Sequence, residues 1–261
     1  MSRKTVALFA TRRIGVRCLE ELLRLQAAGQ VSVAAVRTLP DGVRGWWSTP
    51  GEPEVCDLAR AAGIPILAAD RDLLDLPVDL AFSVFHPAIL KPPVIEHPRQ
   101  GFVNLHGAPL PRYRGCNVAT HGLINGEPQW GPTLHFIDHG IDTGPVIRVG
   151  WFDVPPGITA RGLAEATDEM GFRIFCEELP GLLAGTTRGR PQAEIIRDTG
   201  VEPLYFKRSS ILGLKELDPT WPVEQIDRYA RAFDFPPYEP AYFCLPDGRK
   251  LYLVAEKERH G

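Results

Sequence analysis

Val6-Ala-Leu-Phe-Ala10 opens the chain as a short apolar run, and residues 14–28 then place Ile14, Val16, Leu19, Leu22, Leu23 and Leu25 at helical spacing before a second apolar run at 31–36. Five consecutive apolar residues suit a strand buried on both faces, and a 3.6-residue period suits a helix with one buried side. Strand, helix, strand in that order is a βαβ unit, and it predicts a parallel sheet. The alternation continues outward. A glycine- and proline-rich loop covers residues 38–53, a helix follows at 55–62, and strands follow at 64–67, 78–84 and 102–106. Further strands are expected at 134–137 and 146–151, and residues 159–183 are long enough for two or more helical stretches. The expected fold class is α/β, with a Rossmann-like, open, mostly parallel sheet over residues 1–190.

After Gly185 the pattern changes to short mixed segments. Leu204-Tyr-Phe206, a helix at 223–232, a turn at Phe235-Pro-Pro-Tyr238 and two strands at 241–245 and 250–255 predict a small α+β subdomain over 204–261. Asp247-Gly248 between the two apolar runs is a hairpin signal, because that dipeptide tolerates the positive φ of a tight turn. No internal repeat is present.

Glycine and proline each number 25 of 261 residues. The prolines are interleaved with apolar runs, which excludes collagen and low-complexity disorder. None falls within residues 1–39, and eleven fall within 87–156. Fixed φ angles there would stiffen loops. The net charge is −3 and no basic block stands out, so a long grip on nucleic-acid phosphate is not expected. Five scattered cysteines, without a C-x-x-C pair, point to a reducing cytoplasm and to no structural metal. The first apolar run is too short for a signal peptide, and no stretch reaches the roughly 18 apolar residues of a membrane span. A cytoplasmic protein without membrane contact is expected.

Several chemistries lose their support. The turn after the first strand, Thr11-Arg-Arg-Ile-Gly15, has one glycine where a dinucleotide fingerprint needs several. No G-x-S-x-G elbow exists. Cys116 lies near His106, but a small, partly buried thiol is the commoner state. Asn104, His106 and Asp142 remain. The first two are at i and i+2 on one strand, so both side chains point to the same face, at the strand end where open α/β sheets bind ligands. An amide donor beside a titratable imidazole suits acyl transfer to an amine. On Asn104 and His106 alone, a satisfied polar pair at a strand end is the favoured reading. The three asparagines of the chain, Asn104, Asn117 and Asn125, all fall within 22 residues.

Phe102-Val-Asn-Leu-His-Gly-Ala-Pro-Leu-Pro-Arg-Tyr-Arg-Gly115, then Asn125-Gly-Glu127, then Gly131-Pro-Thr-Leu-His-Phe-Ile-Asp-His-Gly-Ile-Asp-Thr-Gly144 closely resemble the 10-formyltetrahydrofolate-dependent formyltransferase family, with the blocks in the family's order. The resemblance spans roughly residues 5–180. It implies the formyltransferase fold, 10-formyltetrahydrofolate as co-substrate without a metal, and Asn104, His106 and Asp142 as catalytic trio. It also implies that the pterin lies against the loop after strand 78–84 (Phe85, His86, Ile89, Leu90) and the loop before the aspartate (Ile137, Asp138, His139, Gly140, Ile141). His86-Pro87 departs from the small, glycine-containing sequence common in relatives. Arg112, Tyr113, Arg114, Lys207 and Arg208 are the candidates for substrate contact. His121 and His135 are expected to be structural.

The tail chooses among acceptors. Residues 204–261 hold nine basic and nine acidic side chains, a neutral and short extension compared with the barrel of the transfer-RNA enzymes. Asp218-Pro-Thr-Trp-Pro222, Arg228-Tyr-Ala-Arg-Ala-Phe233 and Pro236-Pro-Tyr238 resemble the post-catalytic region of amino-sugar N-formyltransferases. A nucleotide-linked amino sugar is therefore the expected small-molecule acceptor, with no nucleic acid as partner. Methionyl-tRNA, an ornithine derivative or an aminoglycoside are alternative acceptors. A 10-formyltetrahydrofolate hydrolase and a non-catalytic folate-binding protein are the alternatives to transfer. Apolar hairpin strands near the C-terminus could pair across a two-fold axis to form a homodimer.

Overall fold

The computed structural model describes residues 3–40 and 42–254. Strand β1 (Lys4–Ala10) has no exposed surface from Val6 to Ala10, which the unbroken apolar run requires. Helix α1 (Arg12–Ala27) turns Ile14, Cys18, Leu19, Leu22 and Leu25 inward along one stripe. It delivers the chain to β2 (Val31–Arg37), parallel to β1. After α2 (Val55–Ala61), β3 (Leu80–Val84) pairs on the other side of β1. A short α3 (Pro92–Glu96) leads to β4 (Phe102–His106), parallel to β3.

The chain then makes β5 (Tyr113–Gly115), α4 (Val118–Ile124), β6 (Gln129–Trp130), β7 (Thr133–Phe136), β8 (Val146–Val149) and β9 (Phe152–Asp153). The main sheet runs β2-β1-β3-β4-β7-β8. Its first four strands are parallel, and β7 and β8 are antiparallel additions. One face is filled by α1 and α5 (Ala160–Ala184), whose Leu163, Gly171, Ile174, Phe175, Leu179 and Leu182 are buried. The other face carries a separate apolar cluster with Phe9, Ala81, Val94, Ile95 and Phe102.

Residues 160–184 form one helix, where the sequence suggested two or more stretches. Thr159 caps its start by accepting from the Gly162 N–H, and Gly185, at φ 70°, ends it in the left-handed region. Pro180 lies within it, yet the helix continues. The prolines at 92 and 93, read as chain breaks, instead begin α3, where a missing N–H costs nothing. Residues 64–67 make only a bridge from Ile66 to Val36.

Beyond α5 come α6 (Gln192–Thr199), which sequence periodicity missed, then β10 (Leu204–Phe206), α7 (Val223–Phe233), β11 (Ala241–Cys244) and β12 (Lys250–Leu253). The last two form the expected hairpin, with Gly248 at φ 83°; Ala255 of the expected second strand lies outside the described residues. Leu217, Phe233 and Ala241 form a small core there. The tail is tied to the sheet domain, because β10 pairs in parallel with β5.

Candidate active site

The register of β4 sets the site. Asn104 lies opposite Ser83 of β3 and His135 of β7, and His106 lies opposite Thr133. Residues directly opposite in an antiparallel pair share a face. Asn104 Nδ2 therefore meets His135 Nε2 at 3.1 Å. His135 Nδ1 lies 2.8 Å from the Phe136 carbonyl, which can only accept, so Nδ1 carries the proton and Nε2 accepts from Asn104. His135 is 2% exposed, and burial pushes its pKa down to about 4, so the ring is neutral. It turns the Asn104 amide and leaves one Nδ2–H free.

His106 is held in a complementary way. Its Nε2 lies 2.8 Å from the Tyr113 carbonyl, which fixes the proton on Nε2 and leaves Nδ1 as the nitrogen that can gain or lose one. Nδ1 is 3.6 Å from Asp142 Oδ2. The Asp142 carboxylate also accepts from the Gly115 N–H at 2.8 Å, and its other oxygen lies 3.7 Å from His135 Nε2. Asp142 adopts φ 54°, in the left-handed region. The loop can come this close to β7 because position 144 is glycine; a Cβ there would collide with the Phe136 carbonyl oxygen. Asp138 ties the loop from within, accepting from the Gly140 N–H and the Thr143 hydroxyl. Thr133, fully buried, donates to the Ala108 carbonyl and accepts from the Leu110 N–H, which pins the segment after His106.

The loop that leads to Asp142 lines an open groove of about 490 Å3, formed by Ile95, Glu96, Ile137, Asp138, His139 and Gly140. Four of the residues expected against a pterin thus share one groove. Ile141 and Ile89 are exposed, and Leu90 is buried under the sheet face. Phe85 turns away from the groove. Its ring lies 4.0 Å beneath the Arg12 guanidinium, and its edge abuts Gly107, next to His106. The His86 side chain is buried, with Nε2 3.3 Å from Asp70, which also pairs with Arg37. Burial lowers its pKa, and Pro87 offers no N–H to its unpartnered Nδ1.

The substrate candidates do not converge. Arg112 is bound to Glu127 at 2.8 Å. Tyr113 has no exposed surface, its hydroxyl donates to Glu127, and burial pushes its pKa up to about 12. Arg114 donates to Gln192. Lys207 and Arg208 are exposed after β10. His121, expected to be structural, stacks on Phe206 and bonds Ser210. Sequence reasoning missed the contact of His135 with Asn104, since only the β4–β7 pairing reveals it. It also missed Gln192, on a helix of eight residues that is too short to repeat its period.

Among the described residues, no group of three or more His, Cys, Asp or Glu side chains is arranged to hold a metal ion, and no helix is long and apolar enough to cross a membrane. Comparison with known proteins gives a family model, formyl transferase, matching residues 16–179. The methionyl-tRNA formyltransferase of Myxococcus xanthus is 29% identical over 269 residues, spanning 100% of this chain and 81% of that protein. The structure is similar to a 4-N formyltransferase from Francisella tularensis, with a TM-score of 0.79, 18% identity and coverage of 98% of this chain and 100% of that one. It is also similar to an N-formyltransferase from Helicobacter canadensis, solved with folinic acid and dTDP-3-aminofucose, with a TM-score of 0.75, 24% identity and coverage of 94% and 85%. With the strand-end amide, imidazole and carboxylate in place and more than half of its length matched, the chain belongs to the formyl transferase family.

Proposed function

We propose that this protein transfers the formyl group of 10-formyltetrahydrofolate to the primary amine of a nucleotide-linked amino sugar. The observation that carries the chemistry is the convergence of Asn104, His106 and Asp142 at the end of β4, each held by a main-chain or buried partner. The groove at 137–140 supports the folate assignment: apolar Ile95 and Ile137 face a turn of main-chain polar groups, which suits a flat heterocycle with several donors and acceptors.

The neutral amine attacks the formyl carbon, and the carbonyl oxygen becomes an oxyanion. The free Nδ2–H of Asn104 donates to that oxygen. A proton leaving the amine passes, directly or through water, to His106 Nδ1, where the Asp142 carboxylate stabilises it. The C–N bond to the folate then breaks, and the departing folate nitrogen takes the proton. An oxyanion donor of this kind contributes about 10²- to 10³-fold in rate and a general acid or base about 10²- to 10⁴-fold.

The acceptor class is supported by the likeness of the fold to the Helicobacter canadensis N-formyltransferase, which was solved with dTDP-3-aminofucose. The chain's net charge of −3 also disfavours a phosphate-gripping surface. The test is incubation with 10-formyltetrahydrofolate and a panel of nucleotide-linked amino sugars, with methionyl-tRNA alongside, read by the mass gained when CHO replaces H. A formylated sugar is the expected product. Formylated methionyl-tRNA without any sugar product would overturn the acceptor, and formate release without an acceptor would overturn transfer.

A further inference from the structure

We infer that Gln192 is a positioning residue that sets the conformation of Asp142, which rests on the proton-transfer role proposed above. Gln192 is the first residue of α6, outside the segment that the family model matches. It is 4% exposed, and its amide uses its full bonding capacity. Nε2 donates to the Asp142 carbonyl and to the Gly144 carbonyl, both at 2.9 Å. Oε1 accepts from Arg114 Nε at 3.1 Å and from its terminal nitrogen at 2.6 Å.

These bonds close a ring around the catalytic carboxylate. Arg114 precedes Gly115 on β5, and the Gly115 N–H is the donor on Asp142 Oδ2. The backbone of Asp142 is thus held through Gln192, its side chain through Gly115, and both anchors meet on one strand. The hold is needed because a non-glycine residue at φ 54° occupies a sparsely populated region and persists there only when its surroundings enforce it. The segment carrying Gln192 is itself fixed, since Arg190 and Val146 exchange both backbone hydrogen bonds at the start of β8.

Only an amide meets this demand. A carboxylate would face two carbonyl oxygens, and an aliphatic side chain would leave two carbonyls and an arginine fork unpaired. The same ring engages Arg114 with the protein, so its contribution to the reaction is to hold Gln192.

The experiment measures steady-state kinetics, pH–rate profiles and the amide NMR resonance of Gly115 in Gln192→Leu, Arg114→Met and Asp142→Asn. Gln192→Leu is expected to lower kcat about 10- to 100-fold, the usual cost of losing a partner that orients a reacting group. The KM values for both substrates should stay within about threefold. The Gly115 resonance should move upfield as its bond to the carboxylate lengthens, and the pH profile should shift. In the Asp142→Asn background the same substitution should cost much less, because its target is gone. Arg114→Met should reproduce the effect more weakly and carries the test if Gln192→Leu does not fold. A folded Gln192→Leu enzyme with unchanged kcat, pH profile and Gly115 resonance, beside an inactive Asp142→Asn, would overturn this inference alone. Full activity in Asp142→Asn would overturn the proton-transfer role instead.

Discussion

The end of β4 and the C-terminal segment 204–254 hold their polar side chains in opposite ways. At β4, His106, His135 and Asp142 are buried or nearly so, and each is fixed by a main-chain carbonyl or N–H. In the tail, Lys207 and Arg208 are exposed, and the ion pair between Lys250 and Glu239 lies at the surface. Tyr238, Leu251, Tyr252 and Val254 also face outward. The first arrangement suits chemistry common to many acceptors, since main-chain anchors do not vary when side chains do. The second suits selection among acceptors, since exposed side chains change at little cost to the fold.

The contrast can be broken most sharply at β4. His106→Ala, Asn104→Ala and Asp142→Ala should each lower kcat at least about a hundredfold, with circular dichroism and melting temperature close to wild type. Near-normal turnover in His106→Ala would dissolve the distinction. Next comes the buried histidine. The pKa of His135 is about 4 in the fold and near 6.5 when unfolded. The unfolded chain therefore binds the extra proton first as pH falls, and stability should decline from about pH 6.5 to about pH 4, by up to about 3 kcal/mol. His121, also pushed down to about 4 by burial, adds a decline of the same sign. Melting temperatures at pH 7.5 and 5 measure the sum, and His121→Gln should flatten part of it without changing kcat at neutral pH.

Smaller effects sharpen the other side of the contrast. Pro109→Ala, in the segment pinned by Thr133, should lower kcat severalfold while the melting temperature barely moves; equal loss of both would refute loop stiffening as its role. Lys207→Ala with Arg208→Ala should raise the acceptor KM severalfold and leave kcat intact, the reverse of the β4 pattern. Leu251→Ser with Tyr252→Ser should weaken any self-association seen by sedimentation velocity, with no change in turnover.

Much of this was readable from residues. The alternation of apolar runs up to about residue 183 predicted an open, mostly parallel sheet, and Asp247-Gly248 predicted the hairpin. Asn104 and His106 share a face because strand side chains alternate, so their pairing was visible at i and i+2. Local pattern failed where distant contacts decide. The α6 sequence lacks a long periodic stripe and is held by its bonds to the Asp142 loop. Arg112 and Arg114, which look like ligand groups in a loop, also bond through Nε to Glu127 and Gln192, and the Tyr113 hydroxyl bonds Glu127.

Periodicity, which depends on neighbours a few residues apart, settled the class of the sheet, and resemblance to the formyltransferase family supplied the three side chains proposed to react. The tautomer of His106, the turn of the Asn104 amide and the left-handed Asp142 came from partners 7 to 50 residues away. Such partners meet only when β7 adds antiparallel to β4 and α6 folds back on β8. A hydrogen bond across that distance leaves no period in the sequence, and so the residue types were written locally while their protonation and aim were decided by the tertiary structure.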